Sequence, residues 1–397
     1  GPHMTIAATR QGESASKTSH PHAPDPGGSV AADGAAVPDG TVRHLRIGDL
    51  VLESGARLPD ATLGYETWGT LNAERSNAVL IEHALTGDTH VTRGASAEPG
   101  WWEQLAGPGA PVDTGKYFVV SINILGGCYG STGPSSTAPD GKPWGSRFPL
   151  VTLRDTTDAE ARLADALGIR SWYAVLGGSL GGARALEWAV SYPDRVRRCG
   201  VISIGASSTA EQIAFAQAQT LAIRQDPNFN GGDYYGGPGP EAGLALARRI
   251  AHITYRSAAE LDGRFGRNAQ DSEAPLRAGS LAGRGRYQVE SYLDHQGNKL
   301  VRRFDANSYI AITEALMSHD VCRGRGALTE ALAPATAAFL VAAVDSDRLY
   351  FPDQSRALAA ALPGDVAVHT IEAPIGHDGF LTEIGQLNTQ LRQHFFG

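Results

Sequence analysis

Five consecutive residues constrain this chain more than any others. Gly177-Gly178-Ser179-Leu180-Gly181 directly follow the apolar run Trp172-Tyr173-Ala174-Val175-Leu176 and directly precede a helical pattern at Leu180 to Ser191. A serine in Gly-x-Ser-x-Gly between a strand and a helix occupies a sharp, strained turn. Its neighbours must be small because larger side chains would collide with the adjoining strand and helix. Gly279-Ser280-Leu281-Ala282-Gly283 is only a near match, since Ala278 stands where a glycine is required and no apolar strand precedes it.

The remaining apolar pattern supplies a sheet for such a turn. Leu45 to Leu52 and Ala61 to Glu66 have strand-like spacing, and Asn77 to Glu82 and Tyr117 to Ile122 are continuous apolar runs, as expected of strands buried on both faces. A helical pattern at Thr156 to Leu167 precedes the Trp172 run, so strands and helices alternate, and an α/β architecture with a mostly parallel central sheet follows. Between residues 208 and 331 the rhythm changes to helix-favouring segments, at Gln212 to Arg224, Gly243 to Tyr255 and Asn307 to Ser318, which predicts an inserted helical lid. Alternation then resumes with strands at Ala338 to Val344 and Val366 to Ile371, a helix near Asp353 to Leu362, and a final helix. The expected organisation is a tail over 1–40, core over 41–207, lid over 208–331 and core again over 332–397.

Residues 5–40 are mostly Ala, Gly, Ser, Pro, Asp and Thr, too poor in large apolar groups to offset the entropy of ordering, so a disordered tail is expected. Gly1-Pro2-His3-Met4 reads as a cleavage scar ahead of the native start. No apolar leader follows it and no membrane-length apolar stretch occurs, so a cytoplasmic protein is expected. A net charge of −8 argues against a nucleic-acid surface and favours a small-molecule substrate. The three cysteines, Cys128, Cys199 and Cys322, lack metal-like spacing, so neither a disulfide framework nor a metal site is expected.

A serine hydroxyl is a weak nucleophile at neutral pH. It needs a histidine to take its proton and a carboxylate to hold that histidine's tautomer. The Gly-x-Ser-x-Gly turn in this strand and helix context is that of the α/β-hydrolase fold, whose chain order is Ser, then Asp or Glu, then His. His377, in Pro374-Ile375-Gly376-His377-Asp378-Gly379-Phe380, lies in a glycine-flanked loop after the last strand and before the last helix, where the fold delivers its base. The other histidines after Ser179 fall in the helical insertion, inside a strand (His369) or near the C-terminus (His394). Asp345 and Asp347 both follow the Ala338 to Val344 strand, and spacing does not separate them as the acid. Two backbone N–H groups should form the oxyanion hole: that of Leu180, after the nucleophile, and one near Leu85 in His83-Ala84-Leu85-Thr86-Gly87-Asp88.

Taken together the motifs resemble the homoserine O-acetyltransferase family. The matching segments are residues 63–69, 83–88 and 123–134, the Ser179 turn, Ser346-Asp347-Arg348-Leu349-Tyr350 and Gly376-His377-Asp378-Gly379-Phe380. The resemblance implies Asp347 as the acid, since the family's Asp precedes an x-Leu-aromatic segment. It also implies substrate contacts from Arg248 and Asp378. Homoserine is a zwitterion, so its carboxylate suits a guanidinium and its ammonium suits a carboxylate; Arg249 is the alternative cation. The family often has Met where Leu180 stands, a change of little consequence at a position that contributes a backbone N–H. Further implied are a ping-pong transfer of acetyl from acetyl-CoA, a co-substrate with no other cofactor, to L-homoserine in methionine biosynthesis, and a homodimer formed through the helical lid. Esterases and thioesterases share the same three side chains, and homoserine O-succinyltransferase and serine O-acyltransferase share the fold. A catalytically dead binding module would lack a member of the triad, and here all three are present.

Overall fold

The computed structural model describes residues 37–397. The tail expected over 1–40 therefore lies almost wholly outside the described residues, and its last residues need correction because they are tied to the core. Gly40 N–H donates to Thr67 O at 3.0 Å, and Asp39 Oδ2 and Asp39 O accept from the N–H groups of Gly69 at 3.2 Å and Ala95 at 2.9 Å.

Among the described residues one sheet has eight strands: β1 (Arg43–Val51), β2 (Arg57–Trp68), β3 (Ala78–Glu82), β4 (Phe118–Ile122), β5 (Ala174–Gly178), β6 (Arg198–Ile202), β7 (Ala338–Val344) and β8 (Val368–Ile371). Their order is β1-β2-β4-β3-β5-β6-β7-β8, with β2 antiparallel to both neighbours and every later pair parallel. Successive side chains point to opposite faces, so each central strand feeds two cores. Val79, Ile81, Leu176 and Leu340 pack on one face, while Leu80, Val175 and Val201 pack on the other beneath Trp172 and Trp188.

Strand β6 is not among the segments predicted from sequence. It opens on Arg198 and contains Gly200, so it lacks a continuous apolar run. Its place is set by parallel pairing on both sides, Val175 with Cys199 and Cys199 with Phe339. Helix α1 (Leu153–Ala166) begins three residues before the expected Thr156, because Thr152 and Asp155 form a reciprocal cap: Thr152 Oγ1 accepts from Asp155 N–H at 3.3 Å and Asp155 Oδ2 accepts from Thr152 N–H at 2.9 Å. Helix α2 (Leu180–Ser191) leaves the end of β5 directly.

Between β6 and β7 the chain is helical: α3 (Ala210–Arg224), α4 (Glu241–Tyr255), α5 (Ala258–Phe265), α6 (Gln288–Val301), α7 (Ala306–Met317) and α8 (Leu328–Leu332). Three further helices, α9 (Pro352–Ala361), α10 (Gly379–Thr382) and α11 (Ile384–His394), complete the core.

A buried charge cluster joins the elements beneath the Ser179 turn. Arg184 on α2 donates to Glu160 on α1 at 2.7 Å, to Ile122 O at 3.1 Å and to His83 O at 3.0 Å, and lies 3.2 Å from Glu82 at the end of β3. Burial pushes Glu82 well above the usual carboxylate range, with Arg184 opposing and Glu160 reinforcing the shift. One guanidinium thus serves two buried carboxyl groups. Replacing Arg184→Met should cost about 3–5 kcal/mol of stability at pH 7 in urea unfolding.

Candidate active site

Ser179 stands where β5 becomes α2, with φ 57° and ψ −126°, a left-handed conformation rare for any residue but glycine. Two glycines permit the turn. A Cβ on Gly181 would lie 2.1 Å from Glu82 O, and one on Gly178 would lie 2.3 Å from the Phe380 ring. The backbone itself is held by Ser179 N–H donating to Ile202 O at 2.8 Å.

His377 lies in the loop between β8 and α10, buried among the rings of Tyr255, Tyr350 and Phe380. Its Nδ1 is 2.6 Å from Asp347 Oδ2. The other oxygen of Asp347, Oδ1, accepts from the N–H groups of Leu349 at 2.9 Å and Tyr350 at 2.8 Å, which fixes the carboxylate. The choice left open between the two aspartates is thereby decided, because Asp345 instead accepts from Ala373 N–H at 3.1 Å. Burial works to lower the His377 pKa, but the Asp347 charge and hydrogen bond, with Asp378 adding, outweigh it and raise the value above that of an ordinary histidine.

Ser179 and His377 line one cavity together with Leu85, Arg248, Tyr255 and Asp378. They share no direct hydrogen bond in this structure, a contact that commonly tightens only when substrate binds. Among the described residues the N–H groups of Leu85 and Leu180 donate to no protein acceptor, so neither is engaged elsewhere.

Arg248 is buried on the wall of this cavity. Its Nη1 donates to Thr86 Oγ1 at 3.1 Å, whereas its Nε has no partner. Burial lowers its pKa, Arg303 adds to the shift, and Tyr255 and Asp378 oppose it. Arg249, the alternative cation, points elsewhere and pairs with Asp294 at 2.9 Å. Asp378 also lines the cavity, but it is not a lone carboxylate: its Oδ2 accepts from Arg256 Nε at 3.0 Å. Burial raises the Asp378 pKa against the opposing charges of Arg256 and His377.

Three residues at this site carry no signal in the sequence. Arg303, just past α6, donates to Thr86 O at 2.7 Å and to the Tyr129 hydroxyl at 3.1 Å, binding the helical insertion to the loops after β3 and β4. Arg256 is the partner of Asp378. In sequence both arginines look like cations near a helix C-terminus, a common arrangement that complements the helix dipole. Tyr129 lies inside the quoted 123–134 segment, but nothing there marks its role. Among the described residues no cluster of His, Cys, Asp or Glu could hold a metal ion, and no helix is long and apolar enough to cross a membrane.

The alpha/beta hydrolase fold family model matches residues 77–384. The homoserine O-acetyltransferase of Thermobifida fusca is 56% identical over 362 residues, covering 90% of this chain and 94% of that protein. The crystal structure of homoserine O-acetyltransferase from Bacillus anthracis superposes with a TM-score of 0.83 at 29% identity, covering 89% of this chain and 97% of that one. Esterase E22 also superposes, with a TM-score of 0.81 at 27% identity over 89% of this chain and 99% of that one. With a matched fold over most of its length and a curated relative more than half identical, the chain belongs to the homoserine O-acetyltransferase family of α/β-hydrolase-fold enzymes.

Proposed function

We propose that this enzyme transfers the acetyl group of acetyl-CoA to the hydroxyl of L-homoserine through an acetyl-Ser179 intermediate. The observation that carries the acceptor assignment is Arg248, a buried guanidinium with an unpartnered Nε on the wall of the Ser179 cavity. A buried cation of this kind calls for an anionic partner, and the carboxylate of an amino-acid acceptor supplies one. Asp378, held by Arg256, faces the same cavity and suits the ammonium group.

In the first half-reaction His377 Nε2 takes the Ser179 proton while Oγ bonds to the acetyl carbonyl carbon. The resulting oxyanion accepts from the N–H groups of Leu85 and Leu180. The C–S bond then breaks, and the departing thiolate recovers the proton from His377. In the second half-reaction the homoserine hydroxyl gives its proton to His377 and attacks the acetyl carbon. The Ser179 Oγ–C bond breaks, and the proton returns to Ser179. Asp347 keeps the proton-bearing Nδ1 of His377 facing away from the serine throughout.

A second reading, hydrolysis of the acyl-enzyme, is favoured by the likeness to esterase E22. The paired charges of Arg248 and Asp378 favour transfer, since water has no use for them. The homodimer and the cytoplasmic, methionine-pathway setting belong to the same proposal. Apolar side chains on the outer faces of α3 and α4, among them Ile213, Leu221, Leu246 and Ile253, offer a surface for pairing through the insertion.

Incubation with acetyl-CoA should add one acetyl mass to the protein, and homoserine should discharge it as O-acetylhomoserine. Ser179→Ala should abolish the mass gain and lower turnover by about six orders of magnitude. Discharge by water at the same rate as by homoserine would establish the esterase reading instead. Acylation requires neutral His377, so its rate should rise with pH through an apparent pKa above 6.5. Asp347→Asn should lower that pKa, because burial then acts with less opposition, and should cut acylation by about 10⁴. Arg248→Met should lower kcat/KM for homoserine at least about 30-fold yet have little effect with 3-aminopropan-1-ol, which lacks the carboxylate. An equal loss with both acceptors would remove Arg248 from carboxylate binding.

A further inference from the structure

Ser179 lies on the wall of a second cavity as well. This space shares Leu85, Ser179 and Tyr255 with the first and runs between α3 and α7 towards Phe215 and Met317, both of which are half-buried. The two chambers differ in chemistry. Arg248, His377 and Asp378 line the first, whereas no side chain lining the second carries a charge. Its polar groups are neutral amides and hydroxyls, set among apolar groups such as Leu316 and Leu349. One of them, Thr313 Oγ1 on α7, is buried without a hydrogen-bond partner.

We propose that this uncharged chamber receives the thiol-bearing arm of the acyl donor, a neutral chain of amide groups ending in the thioester, while the charged chamber is reserved for the zwitterionic acceptor. The proposal rests on the acetyl-transfer reading above. Three physical arguments carry it. An amino acid placed in the second chamber would bury an ammonium and a carboxylate with no countercharge, whereas an amide chain brings no charge to neutralise. Thr313 Oγ1 can both donate and accept, so an amide N–H or C=O of the donor would satisfy it. Finally, the base lies on the acceptor's side. An alcohol needs His377 to remove its proton as it attacks, whereas a thiolate, with a pKa near about 8.5, leaves with little assistance. Donor and acceptor thus reach Ser179 through different chambers, and the released thiol does not have to vacate the acceptor's space before homoserine binds.

Ala216 on α3 faces the second chamber and offers a way to obstruct it. In the full-length enzyme, Ala216→Trp should lower kcat/KM for acetyl-CoA at least about tenfold. Acetylation by p-nitrophenyl acetate, which has no long arm, and the KM for homoserine on the resulting acyl-enzyme should each change less than about threefold. A rise in homoserine KM, a parallel loss with p-nitrophenyl acetate, or an unchanged acetyl-CoA rate would each overturn the assignment. Product inhibition of the unsubstituted enzyme tests it without any variant. Free CoA should compete with acetyl-CoA but not with homoserine; competition between CoA and homoserine would mean a single shared chamber. An unsubstituted enzyme that takes acetyl from neither donor would fail the acetyl-transfer reading itself, an outcome distinct from all of these.

Discussion

The backbone of Ser179 holds the site together, and it does so in a conformation that costs energy. A non-glycine residue at φ 57° is disfavoured by roughly 1–3 kcal/mol and persists only where its surroundings over-determine it. Here they do. Gly178 and Gly181 allow the Phe380 ring and the end of β3 to close against the turn, the Ser179 N–H is held by β6, and α2 is anchored from below by Arg184. The same contacts that pin the serine also place the loop after β3, which lines the Ser179 cavity with Leu85, because Arg184 binds His83 O within it. Ser179 and the loop after β3 are therefore set by one interlocked unit.

Around that unit the electrostatics are unusually one-sided for a buried site. His252, one helical turn beyond Arg248 on α4, is kept neutral: burial lowers its pKa well below the ordinary value, and Arg248, Arg256, Lys299 and Arg303 reinforce the shift. The cations gathered around His252 suit an acceptor that brings its own carboxylate. It also suits Asp378, whose charge is shared with Arg256 and which can hold an ammonium without becoming an isolated buried anion. On the proposed function, the same arrangement would favour transfer over hydrolysis, since a held amino acid presents its hydroxyl at high effective concentration.

The helical insertion is thus part of the catalytic unit, not merely its cover. Arg248 and Arg303 both come from it, and both converge on Thr86 in the core loop. Their contacts tie the insertion to the loop after β3, with side chains of opposite layers meeting on one threonine.

Much of this was legible in the chain before any coordinates. The strand, turn and helix context of Ser179, the apolar runs of a two-sided sheet, and the position of His377 after the last strand all depend on local spacing and chain order, which a sequence displays directly. Strand β6 was not legible, because an arginine and a glycine interrupt its apolar run and its place is set by pairing with β5 and β7. Residue chemistry alone could not choose between Asp345 and Asp347, two residues apart after the same strand, or between the adjacent Arg248 and Arg249; family likeness favoured Asp347 and Arg248, and direction in space decided, with one of each pair aimed at the site and the other at a loop or helix partner. Arg303 and Arg256 were invisible for a related reason: a buried cation and a solvated one are the same letter. The sequence by itself determined the strand-turn-helix setting of Ser179, the loop position of His377 and most of the sheet beneath them, since those follow from local pattern. Only the tertiary structure decided which charges are buried without a partner and which chamber each of them lines, because burial and pairing are properties of distant segments brought together.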